Sequence, residues 1–155
     1  RLHLRTATGL ELSDSKIDEC WNAMLLDIPQ SRMNFLDEMK KEYKTFMLSN
    51  TNSIHLDALS VYLKKTFSIS DIAEKFSKAY YSCRCGMRKP DEKIFQLVMS
   101  ENNLDPAETL FIDDSAVNIE TADQLGLHVI LLMPGDNLEA KVMEYLASHK
   151  ETVLH

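Results

Sequence analysis

The chain has 155 residues, of which 45% are apolar and 26% are charged, with only four Gly and four Pro. This composition fits a globular chain with a packed core and excludes a fibrous repeat. A net charge of −7 argues against binding to nucleic acid phosphates, and the apolar run Val129–Met133 is far too short to cross a bilayer. Neither nucleic acid nor a membrane is therefore predicted as a partner.

Three cysteines, Cys20, Cys83 and Cys85, are an odd number in a chain too large to need disulfide stapling. This count favours a reducing compartment and predicts a cytoplasmic protein. No second Cys pair and no spaced His pair completes a zinc site in the sequence, so we expect no metal at the cysteines.

The first part of the chain shows helical patterns. Apolar residues recur at steps of three and four between Ser13 and Asp27, which predicts an amphipathic helix ended by Pro29. Trp21 lies in this apolar stripe, so we expect it in the core, with a position facing a substrate as the alternative. A second helix is predicted from about Ser31 to Lys41.

From residue 45 onwards, predicted strands and helices alternate. The short apolar runs that predict strands are Thr45–Ser49, Ala79–Ser82, Thr109–Asp113 and Val129–Met133. The stretches with helical periodicity are Ser53–Thr66, Asp71–Phe76, Asp91–Asn102, Ala116–Leu125 and Asn137–Ser148. This order is typical of βα units and predicts an α/β fold with a Rossmann-like, doubly wound parallel sheet.

Polar side chains follow three of the predicted strands. Ser49 and Asn50 end the first, Lys89 lies in the loop after the second, and Asp113 and Asp114 end the third. Ligands of open α/β sheets bind at the carboxyl ends of the strands, so we expect these residues to share one edge of the sheet. Taken singly, Ser49 and Asn50 also suit a helix cap, and Lys89 also suits a solvated surface position.

The acidic pair carries the strongest indication of function. Adjacent carboxylates after the apolar run Leu110–Ile112 repel each other and are costly at a buried strand end unless a cation compensates them. Magnesium prefers hard oxygen ligands and takes one or two carboxylates together with a substrate phosphate. The sequence therefore predicts a Mg²⁺ site at Asp113 and Asp114.

The order of these motifs resembles the haloacid dehalogenase (HAD) superfamily of hydrolases. The resemblance rests on three motifs: Ser49-Asn50, then Lys89-Pro90-Asp91, then Asp113-Asp114-Ser115 with Asn118 four residues after Asp114. They lie in or near the longer segments Gly86–Phe95, Thr109–Ser115 and Ala122–Gly126. These segments are especially similar to the sugar-phosphate phosphatases of that superfamily and to the phosphatase domain of soluble epoxide hydrolases. Three spaced motifs in the family's order make the resemblance specific.

The resemblance implies a role for each motif residue. Ser49 and the Asn50 amide bind the transferring phosphoryl group, and Lys89 holds the nucleophile and the phosphate together. Asp114 is the direct Mg²⁺ ligand, and Asp113 is its partner, either in coordination or behind it. The implied function is a Mg²⁺-dependent phosphatase that acts on a small phosphorylated metabolite, such as a sugar phosphate, through an aspartyl-phosphate intermediate.

One motif of the superfamily has no counterpart here. The Asp-x-Asp that supplies the nucleophile and the general acid/base precedes the Ser49 motif in the family, and no Asp-x-Asp occurs before Ser49 in this chain. We therefore expect residues 1–42 to be the C-terminal part of a helical cap. Residues 43–155 are expected to be a core domain without its first central strand. The chain, which starts at Arg1, reads as an inactive piece of a longer protein.

Two alternatives remain open. A non-catalytic binding or regulatory protein on the same scaffold is consistent with the missing nucleophile motif. A phospho-receiver signalling domain also uses an acidic pair, a hydroxyl residue and a Lys-Pro, but it places the acidic pair first, whereas Ser49 and Lys89 precede Asp113 here. No motif indicates the oligomeric state.

Overall fold

The structure, a computed structural model, describes residues 1–149. The chain divides into two compact units, Arg1–Cys83 and Arg84–His155, which we call the N-terminal and the C-terminal unit. Residues 150–155, with which the predicted core domain ends, lie outside the described residues. The predicted division into residues 1–42 and 43–155 stays a prediction.

The N-terminal unit combines helices with a two-stranded parallel sheet. Its elements are α1 (Leu2–Thr8), α2 (Asp14–Asn22), α3 (Gln30–Glu42), β1 (Phe46–Ser49), α4 (Ser53–Phe67), the 3₁₀ helix Ile72–Lys75 and β2 (Lys78–Tyr81). The short helix α5 (Ser82–Cys85) crosses the boundary between the units. β1 and β2 pair in register, with Phe46 opposite Lys78 and Ser49 opposite Tyr81.

The C-terminal unit repeats the βα pattern. Its elements are α6 (Glu92–Asn102), the 3₁₀ helix Pro106–Glu108, β3 (Leu110–Asp113), α7 (Ala116–Gln124), β4 (His128–Leu131) and α8 (Leu138–His149). β3 and β4 are parallel, with Leu110 opposite His128 and Asp113 opposite Leu131. Within residues 1–149, every helix is too short or too polar to serve as a membrane span.

Polar side chains set where several helices begin. Ser13, Asn52 and Asp91 are the N-caps of α2, α4 and α6, and each accepts a hydrogen bond from a backbone N–H two or three residues further along. Such caps satisfy donors that have no partner inside the helix and typically contribute about 1 kcal/mol each. The first turns of these helices are therefore encoded locally.

Each unit has its own apolar core. Met33, Leu63 and Ile72 form a buried cluster in the N-terminal unit, where α3 and α4 meet the first 3₁₀ helix. In the C-terminal unit, α6 buries Ile94 and Phe95, and the Phe95 ring packs edge-to-face on a β3 side chain. Burying side chains of this size stabilises a fold by roughly 1.5–3 kcal/mol each.

The α/β fold and the four strands are confirmed, with strand ends shifted by no more than two residues. The described strands pair as two small parallel sheets, β1–β2 and β3–β4. Apolar runs identify strands, but strand neighbours depend on long-range contacts that no local pattern encodes.

Two expectations for the first part of the chain were wrong. The helix predicted to reach Asp27 ends at Asn22, and α1 (Leu2–Thr8) was not predicted. Trp21, expected in the core, has 37% of its surface exposed, and Met24 has 60%. Periodicity shows which residues share a helix face, but it does not show whether another element covers that face.

Candidate active site

The end of β1 carries the first predicted site residues. Ser49 is the last residue of the strand and is half-buried, and Asn50 follows it in an exposed position. Among residues 1–149, no other group forms a hydrogen bond with the Ser49 hydroxyl. This hydroxyl can therefore bind a ligand without giving up an internal partner.

A second hydroxyl fixes the loop that follows β1. The Ser82 Oγ donates a hydrogen bond to the Thr51 carbonyl at 3.0 Å and accepts one from the Thr51 N–H at 2.9 Å. Ser82 was not among the predicted site residues. Its signal in the sequence was its place at the end of the second predicted strand, the strand that pairs with the one ending at Ser49.

Lys89 is buried, with only 8% of its surface exposed, so it is not a solvated surface lysine. Its Nζ donates to Asp113 Oδ2 at 2.6 Å and lies 5.4 Å from the centre of the Phe111 ring. The peptide bond between Lys89 and Pro90 is cis. The structure thus brings two of the predicted site residues, Lys89 and Asp113, into a buried ion pair.

Asp113 is held by three donors. Its Oδ2 receives Lys89, while Oδ1 accepts hydrogen bonds from the Ser115 N–H at 2.8 Å and from Asn118 Nδ2 at 2.9 Å. Burial raises the pKa of Asp113, but the hydrogen bonds from Lys89, Asn118 and Ser115 outweigh it, so this pKa lies below its usual range. Asp113 is therefore a fixed carboxylate.

Asp114 has the opposite environment. Its side chain is exposed, and within the described part of the chain it takes part in no hydrogen bond or ion pair. Asp113, the last residue of β3, is 8% exposed, whereas Asp114 lies just beyond the strand end. The two acids predicted as one pair are thus one anchored and one accessible carboxylate.

Asp113 and Asp114 provide part of what a binding site for a divalent cation requires. The accessible Asp114 carboxylate is a hard oxygen ligand of the kind that Mg²⁺ prefers. Both oxygens of Asp113 already accept hydrogen bonds, which suits a supporting position better than a direct ligand. No group of three His, Cys, Asp or Glu side chains within residues 1–149 is arranged to hold a metal, so Asp114 needs further oxygen ligands.

Asn118 belonged to the motif that carries the resemblance, but no role in the site was predicted for it. It is 8% exposed and lies in the first turn of α7, from which its amide reaches Asp113. The signal in the sequence was its position one helical turn after the acidic pair.

Together, the Lys89 ammonium and the Asp114 carboxylate can hold an anion: the fixed ammonium neutralises phosphate charge, and the accessible carboxylate holds a cation beside it.

Comparison with known proteins identifies a family of hydrolases. Residues 12–126 match the haloacid dehalogenase-like hydrolase family. The D-ribitol-5-phosphate phosphatase of Bacteroides thetaiotaomicron is 27% identical over 128 residues, which are 81% of this chain and 61% of that protein. The chain thus spans about three fifths of the length of this curated relative.

Solved structures of HAD family enzymes are also similar to this chain. A HAD family enzyme of B. thetaiotaomicron, crystallised with magnesium and inorganic phosphate, is 32% identical, with a TM-score of 0.83 over 90% of this chain and 69% of its own. A predicted HAD-like hydrolase of Porphyromonas gingivalis is 32% identical, with a TM-score of 0.85 over 94% of this chain and 71% of its own. The family match covers well over half of the sequence. The chain therefore belongs to the haloacid dehalogenase-like hydrolase family.

Proposed function

We propose that the whole protein is a Mg²⁺-dependent phosphatase. The observation that carries the proposal is the buried ion pair of Lys89 and Asp113 next to the accessible Asp114 carboxylate, in a chain of a hydrolase family. A buried ammonium is costly to maintain, and binding an anion is the use that best accounts for it. The relative crystallised with magnesium and phosphate supports the same chemistry.

We propose a small phosphorylated metabolite, such as a sugar phosphate, as the substrate. The relative named D-ribitol-5-phosphate phosphatase supports this class. A phosphorylated polyol or sugar presents a dianionic phosphate, which Lys89 and a bound cation would neutralise, and hydroxyl groups that hydrogen-bond to neutral side chains.

Each site residue has a role in the proposal. Ser49 and Asn50 bind phosphate oxygens through the hydroxyl and the amide, and Lys89 neutralises phosphate charge. Asp114 is the magnesium ligand, with Asp113 behind it as the carboxylate that holds Lys89. Magnesium, when bound, would withdraw charge from the phosphate oxygens.

The covalent step uses a residue that this sequence does not contain. In the proposal, the first Asp of an Asp-x-Asp motif attacks phosphorus and forms an aspartyl phosphate, and the second Asp, as general acid, protonates the substrate oxygen that leaves. Water then hydrolyses the acyl phosphate to inorganic phosphate and restores the carboxylate. Residues 1–155 alone are accordingly proposed to be inactive, with residues 1–42 as part of a cap and residues 43–155 as part of the core.

The test is phosphate release by the intact protein from a panel of phosphomonoesters that includes D-ribitol 5-phosphate. We expect release with Mg²⁺, none with EDTA, and none from residues 1–155 alone. No Mg²⁺-dependent release from any ester of the panel would contradict the proposal. If the esters still bound without turnover, the result would favour the non-catalytic binding protein on the same scaffold.

A further inference from the structure

The pairing of β1 with β2 stops where the groups that we assign to phosphate binding begin. The last pair in register is Ser49 opposite Tyr81. After Tyr81 the chain leaves the strand and enters α5, which starts at Ser82. Thr51, two residues beyond the last pair, therefore has no residue of β2 opposite it. It is half-buried, and peptide groups in such a position are costly without hydrogen-bond partners.

The Ser82 hydroxyl takes the place of the strand partner that Thr51 lacks. In a parallel sheet, neighbouring strands supply acceptors for backbone N–H groups and donors for backbone carbonyls. Ser82 Oγ supplies both to one residue, since it accepts from the Thr51 N–H at 2.9 Å and donates to the Thr51 carbonyl at 3.0 Å. A hydroxyl can do this because it is a donor and an acceptor at once. The loop is thus held as if the strand pairing continued to Thr51.

Asn50 consequently lies between two residues whose backbones are fixed. Ser49 is held by the pairing with β2, and Thr51 is held by Ser82 from 31 positions further along the chain. Each residue has only two soft backbone torsions, so fixing both neighbours leaves the Asn50 N–H little freedom to change direction. Donors that are already in place bind an anion without a cost of reorganisation.

We propose that Ser82 is a positioning residue, which holds the Ser49 hydroxyl and the Asn50 amide in their phosphate-binding geometry by fixing Thr51. Its effect on phosphate binding rests on the proposed phosphatase function, whereas its effect on the mobility of the loop does not. The proposal predicts that a change at Ser82 weakens phosphate binding while every group that we assign to the phosphate is still present.

The mobility of the loop is tested by ¹⁵N relaxation of the intact protein. The order parameter of the Asn50 N–H should be about 0.85 in the wild type, as in rigid backbone, and below about 0.6 in Ser82→Ala, as in a flexible segment. Ser82→Thr keeps the hydroxyl and should keep the wild-type value. Ser82→Cys carries a thiol, which is a weak donor and a weak acceptor, so it should behave like Ser82→Ala and replaces that variant if it does not fold.

Ser60→Ala is the matched control. The Ser60 hydroxyl donates to the Ser70 carbonyl at 2.8 Å in the same unit, so this variant also removes a hydrogen bond from a serine to the backbone. We expect the order parameter of the Asn50 N–H in the control to equal that of the wild type. An Asn50 N–H that stays rigid in folded Ser82→Ala, or that is mobile in the wild type, would overturn the proposal.

The effect on phosphate binding is tested by the kinetics of the intact enzyme, with rates expressed per folded protein. We expect Ser82→Ala to lower kcat/KM about tenfold, the usual order for the loss of a hydrogen bond or two, and to weaken competitive inhibition by inorganic phosphate by a similar factor. Ser82→Thr and Ser60→Ala should leave both values close to those of the wild type. A purely structural role of Ser82 would lower the denaturation midpoint but leave kcat/KM and phosphate inhibition unchanged, and that result would overturn the proposal.

Failure of the phosphatase function and failure of the role of Ser82 give different results. If the wild type released no phosphate from any ester, the phosphatase function would fail, and the order parameters would still decide whether Ser82 fixes the loop. If the wild type were active and Ser82→Ala had the same kinetics, the positioning role would fail and the phosphatase function would stand.

Discussion

The ends of β1 and β3 hold predicted site residues in contrasting ways. At the end of β1, the groups are neutral: the Ser49 hydroxyl is half-buried and the following loop is fixed by Ser82. At the end of β3, Lys89 and Asp113 form a buried ion pair, and the buried Asn118 amide also donates to Asp113. A neutral hydroxyl exchanges partners with water at little cost, whereas a buried charge that loses its partner is strongly destabilising. Substitutions should therefore affect the two strand ends to very different degrees.

The largest effect is expected at the buried ion pair. The Lys89 and Asp113 side chains are 10% and 6% exposed, so Lys89→Met leaves the Asp113 charge buried without its ammonium. We expect the free energy of unfolding of residues 1–155 to fall by about 3 kcal/mol. Urea denaturation followed by circular dichroism measures this change.

The half-buried pair of Lys141 and Asp136, 2.5 Å apart in the same unit with side chains 36% and 25% exposed, provides the control. Lys141→Met makes the same chemical change where water screens the charge that remains, so its loss of stability should be clearly smaller. Equal losses in the two variants would contradict the contrast between the buried and the half-buried pair.

Lowering the pH should change the free energy of unfolding by a smaller amount. The pKa of Asp113 lies below its usual range, since the donors around it outweigh its burial. The stability that Asp113 contributes is therefore complete above the unfolded carboxyl pKa of about 3.9 and is lost as pH falls through the lower folded pKa. The difference in unfolding free energy between wild type and Asp113→Asn should be constant from neutral pH to about pH 5 and narrow below about pH 4.

Denaturation at a series of pH values measures this dependence. In the Lys89→Met background, the difference in unfolding free energy caused by Asp113→Asn should narrow less on acidification. The reason is that the Lys89 ammonium is one of the groups that lower the pKa of Asp113. A difference that widened on acidification would show that Asp113 has the opposite shift.

The smallest effect is expected at the end of β1. Ser82→Ala removes both hydrogen bonds to Thr51 and should cost about 1 kcal/mol. The Thr51 amide should exchange with solvent about tenfold faster, as its protecting partner is gone. Ser60→Ala is the matched control, because the Ser60 hydroxyl also donates to a backbone carbonyl, that of Ser70 at 2.8 Å. Equal exchange of Thr51 in the two variants would contradict the role of Ser82.

Much of the fold could be predicted from the sequence because its signals are local. Apolar runs fixed the four strands, and capping side chains such as Asn52 and Asp91 fixed the start of the helices. Strand pairing and the exposure of Trp21 could not be predicted in this way. Both depend on which other segments lie alongside, and residue spacing does not encode that information.

About as much of the candidate site as of the fold could be predicted from the sequence. Lys89 and Asp113 were predicted from strand ends and motif order, and the structure brings them together. Ser82 was missed, and Asn118 was predicted only as part of the acidic motif and without a role, because a hydrogen bond between side chains, or from a side chain to a distant loop, leaves no periodic pattern. The different environments of Asp113 and Asp114 also required the structure, since adjacent identical residues cannot be told apart by residue type.

The most direct test of the account is Mg²⁺-dependent phosphate release by the intact protein carrying Asp114→Ala. Asp123, an exposed carboxylate on α7, provides the control variant Asp123→Ala. We expect Asp114→Ala to abolish the release at every Mg²⁺ concentration and Asp123→Ala to leave it unchanged. Full Mg²⁺-dependent activity in Asp114→Ala would contradict the assignment of the accessible carboxylate at the end of β3 to the metal.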